Sequence, residues 1–428
     1  MNFRRITAIV LTALLFSAAV SAEQKVLTID DAVKYASENN LSIQQSRITL
    51  DGLKRTKAYS WNSVSPSVTA SGSIAVPNDQ TNSSYNYSES ITGTLSLTLT
   101  PSLYTSMKTA YLNYENGKIT YDEAVRSIEL SVRKTFYGLL YEQKNITLQK
   151  RNLETAGEQY NQNKIKYQSG QVSELDMLTS QVTYEKLKPA LESAQVTFSN
   201  DLASFKQVLG IDQSADIALS GSLDDVLTLK DISVTDDSSG IPSILSAENS
   251  VAIAETALLA RRFSAYGPTI SAGWTYGKQK LVPDKTDIDP TTTGSLTLGV
   301  SIPLDGYLPW STNGLSAASA EDSVKTAKIQ LENEKTTVSV QITNYLNQIR
   351  QGQSQLVSLQ ANISLAQKSF DMTQAAYDHG SKDLLSLQSA SDSLLSAKVS
   401  FASQEYTLVS AVLSLESVLG VPFGTLGK

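Results

Sequence analysis

The sequence contains no cysteine and a single histidine, His379, among its 428 residues. Without cysteine the chain cannot form a disulfide, and we expect no lipid at a processed N-terminal cysteine. The sequence also lacks metal-ligand spacing and a glycine loop that could hold a phosphate between a strand and a helix. We therefore expect no enzyme activity and no cofactor. The formal net charge of −7 argues against a nucleic-acid partner.

Proline is scarce, and long apolar runs are absent except near the start of the chain. The sequence has 11 prolines, which fall mostly in a few segments and leave room for long helices. Residues 6–20 are apolar, follow Arg4 and Arg5, and precede the small residues Ser21 and Ala22. This order is typical of a secretory signal peptide, which we predict is cleaved after Ala22. We find no other run that is long enough for a transmembrane helix.

One short motif occurs twice in the chain. The stretch YQSGQVSELD begins at Tyr167, and YDHGSKDLLS begins at Tyr377, 210 positions later. The same offset relates Gly210 to Gly420, without a gap, so the two halves are an internal duplication. After the signal peptide at 1–22, we predict a first repeat at 23–211, a connector at 212–240 with little structure of its own, and a second repeat at 241–428.

Four segments alternate strictly between apolar and hydroxyl-bearing residues. Such a period of two predicts strands with one apolar and one polar face. The segments lie at 68–76, 91–100, 270–276 and 296–302. The apolar residues that we predict to face lipid include Leu95, Leu97, Leu99, Ile270, Trp274, Leu296, Leu298 and Val300.

These strands have two interpretations: hairpins that lie on a soluble core, or strands that span a membrane. The signal peptide, the near-absence of charge and segments of about ten residues favour membrane strands. Known membrane barrels have at least about eight strands, and an open sheet edge in lipid would leave backbone groups without hydrogen bonds. Several chains must therefore contribute four strands each.

The segment between Pro101 and Tyr167 contains no proline and repeats apolar residues every seven positions. The second half has the same pattern up to Tyr377. A sustained repeat of seven predicts helices that coil around one another, and some 65 residues would form a rod of about 100 Å. Taken alone, the helices also fit a secreted structural or adhesive coiled-coil protein.

The order of these elements resembles the TolC-like family of outer-membrane efflux and secretion ducts. The resemblance rests on LTIDDAVKYASENN, SPSVTASG, GTLSLTLTPSLY, YQSGQVSELDML and FKQVLGI, followed by the same order again, and it covers almost the whole mature chain. It implies an all-α coiled-coil tunnel joined to a β-barrel, formed by a homotrimer with twelve strands and twelve long helices. It also implies a channel in outer membrane lipid that extends into the periplasm and serves tripartite efflux or type I secretion. A periplasmic adaptor (membrane fusion) protein and an inner-membrane transporter would be its partners.

The resemblance places the two YxxG corners at the periplasmic tip, where the tunnel closes. In the family, a basic residue lies two positions after the second-repeat glycine, and two aspartates lie six and nine positions after it. Lys382 keeps the basic group, and an ion pair between Lys382 and Asp176 would close the tip weakly. The implied gate residues are Tyr167, Asp176, Tyr377, Lys382, Ser386 and Ser389, with serine at both aspartate positions. The implied adaptor contacts are Gly170, Val172, Ser173, Gly380, Ser381 and Asp383.

Overall fold

The structure is a computed structural model, and it describes residues 25–76, 78, 87–223, 240–282 and 289–426. The predicted signal peptide and most of the predicted connector lie outside the described residues. The helices are α1 (Ile29–Asn39), α2 (Leu41–Ala58), α3 (Ser102–Gln168), α4 (Glu174–Leu209), α5 (Pro242–Tyr266), α6 (Thr312–Asp378) and α7 (Leu384–Leu419). The strands are β1 (Lys25–Leu27), β2 (Ser67–Ala75), β3 (Tyr87–Leu99), β4 (Ile217–Leu219), β5 (Thr269–Val282) and β6 (Thr291–Ser301).

The four predicted alternating strands form one antiparallel sheet in the order β2-β3-β5-β6. Their register aligns the apolar residues of all four strands on one face, because residues directly opposite one another share a face. One apolar row consists of Val68, Leu95, Trp274 and Leu296. The neighbouring row on the other face consists of Thr69, Thr94, Thr275 and Ser295. The prediction of one apolar and one hydroxyl face is confirmed.

The two predicted long helices are also confirmed. The helices α3 and α6 each contain 67 residues, and the returning helices α4 and α7 each contain 36. Each return helix ends at a glycine with a left-handed backbone, Gly210 or Gly420. In the described part of the chain, no helix is long and apolar enough to cross a membrane.

The chain divides into two compact units, and each unit takes residues from both repeats. The first unit combines the chain up to Gln45, the part that starts at Glu123, and the part from Val338 onward. The second unit combines Ser46–Asp122 with Ser238–Thr337, and it contains the four-stranded sheet. The compact units therefore differ from the repeats, whose boundaries stay a prediction from the sequence.

A small parallel sheet contributes to the core of the first unit, and one of its two strands lies in the predicted connector. Strand β4 pairs with β1, so that Leu27 lies opposite Leu219. Leu27 is fully buried and packs in one cluster with Phe136 and Phe205 from the long hairpin. A run of three residues is too short for a period of two to appear, so neither strand could be predicted from local pattern.

Two buried glutamates anchor α7 within the first unit. Glu405 is fully buried, and its Oε2 accepts a hydrogen bond of 2.7 Å from Lys144 Nζ on α3. Glu416 is also fully buried and accepts hydrogen bonds from the backbone N–H groups of Gly424 (2.9 Å) and Leu426 (2.8 Å). Because a buried carboxylate is costly without partners, these contacts fix the position of α7 and of the residues after it.

Candidate functional site

The two corners have the same backbone geometry. Gly170 and Gly380 have φ angles of 73° and 71°, in the left-handed region that favours glycine. The N–H of each glycine donates to the carbonyl of the tyrosine three residues earlier, at 2.9 Å from Tyr167 O and 2.9 Å from Tyr377 O. The next residue donates to the carbonyl five positions back, which completes a Schellman motif. The prediction that these glycines end the long helices is confirmed.

The return helices begin with side-chain caps on the predicted adaptor-contact residues. Ser173 Oγ accepts a 3.1 Å hydrogen bond from the N–H of Asp176, and Asp383 Oδ1 accepts a 2.9 Å bond from the N–H of Ser386. The hydrogen bonds from Ser386 lower the pKa of Asp383, and the charge of Lys382 lowers it further. The exposed carboxylate of Asp383 is therefore engaged in capping α7 and carries a stable negative charge.

The adaptor-contact residues lie on the surface of the corners. Five of them are exposed, and Val172 is half-buried. The five exposed residues are Gly170, Ser173, Gly380, Ser381 and Asp383. Their roles stay a prediction, because surface position alone identifies no partner.

The predicted gate residues Asp176 and Lys382 form no ion pair with each other within this chain. Instead, Asp176 Oδ2 accepts a 2.7 Å hydrogen bond from the hydroxyl of Ser173, and the charge of Lys382 acts on Asp383. The carbonyl of Ser389 accepts a 2.7 Å bond from the Ser393 hydroxyl within α7. The roles of these residues at a gate stay a prediction.

The two corner tyrosines have different surroundings although they occupy duplicated positions. Tyr167 is 39% exposed, whereas Tyr377 is 9% exposed and packs with Leu384 and Leu387. The Tyr377 hydroxyl donates a 2.7 Å hydrogen bond to Oδ1 of Asn163, which is fully buried on α3. Burial raises the pKa of Tyr377, so the hydroxyl stays protonated and continues to donate this bond.

Sequence reasoning did not identify Asn163, although a signal for it was present. Asn163 lies seven positions after Ala156, so it continues a second series of seven-residue steps along α3. A polar residue at a seam position is a known device for fixing the register of coiled helices. Its partner Tyr377 lies in the other repeat, and the sequence provides no register between the two hairpins.

Further hydrogen bonds join the two hairpins near the corners. Gln388 Nε2 on α7 donates to Thr183 Oγ1 on α4 at 2.7 Å, and the Ser391 hydroxyl donates to Asn152 Oδ1 on α3 at 3.2 Å. These residues line a cavity of about 40 Å³ among the four helices, large enough for a few water molecules. Polar contacts beside a small cavity hold the hairpins together less tightly than a dry apolar seam would.

The sheet of the second unit carries the predicted lipid-facing residues on a single face. The rows are Leu95 with Trp274 and Leu296, Leu97 with Ala272 and Leu298, and Leu99 with Ile270 and Val300. Seven of the eight residues are exposed in the single chain, and Leu97 is half-buried. Strands β2 and β6 lie at the two edges of the sheet, each with one hydrogen-bonded neighbour strand in the described part of the chain.

The comparison with protein families identifies the family to which a chain with these corners and this sheet belongs. A family model described as "Outer membrane efflux protein" matches residues 32–210 and 241–421. The chain belongs to the outer membrane efflux protein family. It is accordingly an outer membrane efflux channel, as the resemblance of its sequence implied. This finding supports a transport channel over a secreted coiled-coil protein, and the family is not a class of enzymes.

Solved channels show the fold of this efflux protein. The CmeC outer membrane channel of Campylobacter jejuni is 19% identical, with a TM-score of 0.73 over 92% of this chain and 85% of that one. The outer membrane protein VceC of Vibrio cholerae is 14% identical, with a TM-score of 0.73 over 92% of this chain and 96% of that one. The open state of the MtrE outer membrane channel of Neisseria gonorrhoeae is 18% identical, with a TM-score of 0.72 over 92% and 89%. A search of curated proteins found no match.

Proposed function

We propose that three copies of this efflux protein pool their four-stranded sheets into one twelve-stranded barrel in the outer membrane. The observation that carries this proposal is the open sheet, in which β2 and β6 each have one partner strand in the described part of the chain. An unpaired strand edge in lipid leaves backbone N–H and C=O groups without hydrogen bonds, at a cost of several kcal/mol each. Pairing β6 of one chain with β2 of the next satisfies these groups.

The two faces of the sheet then acquire distinct roles. The apolar rows contact lipid, and the rows of serine and threonine line a polar lumen through which exported molecules pass. Hydroxyl groups hydrogen-bond to water without a fixed charge, so this lining suits cargo of varied charge. In this proposal, selection of the cargo rests with the inner-membrane transporter.

We further propose that the corners form a gate that a periplasmic adaptor opens. The polar hydrogen bonds between the hairpins support this role, because they are individually modest and can exchange with water when the hairpins separate. One fold relative, MtrE, has a structure described as an open state. Energy for export comes from the inner-membrane transporter, and this chain supplies the exit path for tripartite efflux or type I secretion.

The assembly is tested by the mass of the purified full-length protein in mild detergent. We expect native mass spectrometry to give a particle of three mature chains. A single chain that stays soluble and monomeric without detergent would contradict the proposal, because its apolar sheet face would then need no lipid.

Adaptor docking is tested with Val172→Asp, a charge placed at the first corner. We expect loss of drug export from cells while the three-chain particle is retained, because the adaptor would meet an unpaired charge. The matched control is Ser354→Asp, which places the same charge at an exposed position of α6 away from the corner. Equal export by the two variants would contradict a docking role for the corner.

A further inference from the structure

The connection between strand and long helix differs between the repeats. In the first repeat, β3 ends at Leu99 and α3 begins at Ser102. In the second repeat, β6 ends at Ser301 and α6 begins at Thr312, which leaves residues 302–311 between them. We call these residues the 302–311 turn. It contains a short 3-10 helix, Asp305–Tyr307, and the first repeat has no counterpart.

The 302–311 turn exposes large apolar side chains. The apolar alternation of β6 continues beyond the end of the strand through Ile302 and Leu304, which are 56% and 74% exposed. Tyr307 and Trp310 follow, with exposed fractions of 64% and 75%. The turn has one charged residue, Asp305, whose Oδ2 accepts a 2.9 Å hydrogen bond from Asn313 Nδ2. Such a run of exposed apolar residues indicates an interaction surface.

The turn is held in place by close packing against the end of α5. Gly306 is buried, and a Cβ at this position would collide with the carbonyl oxygen of Ala265. The rings of Tyr266 and Tyr307 lie 5.1 Å apart. The N–H of Gly314 donates a 2.9 Å hydrogen bond to Ser311 Oγ, which fixes the exit into α6. The apolar side chains are therefore presented by a well-supported backbone.

We propose that the 302–311 turn is an interfacial anchor that inserts Leu304, Tyr307 and Trp310 into the periplasmic leaflet of the outer membrane. The turn contacts the boundary between phospholipid headgroups and acyl chains. Tryptophan and tyrosine are favoured at this boundary because their rings are apolar and their N–H and O–H groups reach water. The turn continues the apolar face of β6 at the end where the chain enters a long helix. This proposal rests on the proposed function, because it requires the sheet to lie in a bilayer.

A nearby cation strengthens the fit to phospholipid. Arg261 on α5 is exposed and lines an open groove with Thr312 and Leu315, at the start of α6. A guanidinium group can donate paired hydrogen bonds to a lipid phosphate while the apolar residues contact the acyl chains.

The anchor can be tested with intrinsic fluorescence, because the chain contains three tryptophans. The double variant Trp61→Phe/Trp274→Phe leaves Trp310 as the single emitter, and Trp61→Phe/Trp310→Phe leaves Trp274 on the sheet. Each full-length variant is reconstituted into phospholipid nanodiscs whose acyl chains carry bromine near the headgroup or near the chain end. We expect Trp310 to lose more fluorescence with the shallow bromine, and Trp274 to lose more with the deep bromine.

The outcomes separate the anchor from the channel. Quenching of Trp274 without quenching of Trp310 would overturn the anchor and leave the membrane channel intact. A short-wavelength emission of Trp310 that bromine does not quench would show that another chain covers the turn, which also overturns the anchor. Absence of quenching for both tryptophans would contradict the membrane placement itself. The proposal is supported if Trp310 fluoresces less in discs with shallow bromine than in discs without bromine.

Discussion

At the scale of single residues, the corner tyrosines show how duplication permits specialisation. The carbonyl oxygen of each tyrosine accepts a hydrogen bond from the N–H of its corner glycine, and the Tyr377 hydroxyl additionally donates to Asn163 in the other repeat. The acceptor Asn163 is fully buried, so loss of the Tyr377 hydroxyl would leave its amide oxygen with the longer 3.4 Å hydrogen bond from Gln159 Nε2. The duplicated Tyr167 is more exposed than Tyr377. The two corners are therefore asymmetric within one chain.

The variant Tyr377→Phe tests this asymmetry. We expect the change to weaken the contact between the hairpins by about 1 kcal/mol, which corresponds to roughly a fivefold shift toward the open tip. Conductance of purified channels in planar bilayers measures the shift. The control Tyr167→Phe removes a hydroxyl that is partly in water, so its conductance should match the unchanged protein. Equal conductance for both variants would contradict the role of the Tyr377–Asn163 bond.

Glu142 on α3 provides a pH-dependent contact between the helices of the first hairpin. Burial, a hydrogen bond with Asp201 and the charge of Asp201 raise the pKa of Glu142 from 4.5 to about 7. Because the folded state holds this proton more tightly than the unfolded chain, the stability it contributes is complete below about pH 4.5. That stability is lost as pH rises toward 7.

The variant Glu142→Gln should flatten this pH dependence. We expect the unchanged protein to lose this contribution to its thermal stability between about pH 4.5 and pH 7, the range between the two pKa values, and the variant to lose less. Melting temperatures in detergent across this range measure the effect. Glu154→Gln, at an exposed position of the same helix, is the matched control and should retain the slope. Parallel slopes for Glu142→Gln and the control would refute a role for this carboxyl.

At the scale of elements, the sequence predicts what depends on local pattern. The strands followed from a period of two, the long helices from a period of seven, and the corners from glycine after tyrosine. The pair β1 and β4 did not follow, because three residues make no pattern and their pairing spans the whole first repeat. The contact between Asn163 and Tyr377 likewise depends on the register between two hairpins, which tertiary packing determines.

The two faces of the sheet can be distinguished by placing a charge on each. We expect Leu298→Asp to impair assembly in the outer membrane more than Thr297→Asp, because charge on the lipid face costs about 2–4 kcal/mol near the midplane. The two residues are adjacent on β6 and therefore point to opposite faces of the sheet. Leu298 lies opposite Ala272 on β5, and Thr297 lies opposite Gly273. The amount of three-chain particle in outer-membrane fractions measures assembly. Similar losses for both variants would mean that the faces are assigned incorrectly.

At the scale of the whole molecule, the duplication supplies two hairpins that a single chain must hold together. Hydrogen bonds near the corners connect the hairpins of the two repeats, as in the pairs Gln388–Thr183 and Ser391–Asn152. The buried apolar residues of α7 are more frequent in its second half, where Leu408, Val412 and Leu415 form a cluster with Ile349 of α6. Polar contacts thus connect the two hairpins near the corners, where an adaptor would act, whereas α6 and α7 share a larger apolar cluster farther from the corners.

Covalent linkage of the hairpins tests whether they must separate during export. The double variant Thr183→Cys/Gln388→Cys places two thiols where the side chains now meet at 2.7 Å, and the native chain has no cysteine to interfere. We expect a short thiol-reactive cross-linker to abolish export from cells, while each single variant treated in the same way exports normally. Because a cross-link holds the closed contact regardless of the adaptor, full export by the linked protein would place the gate elsewhere in the channel.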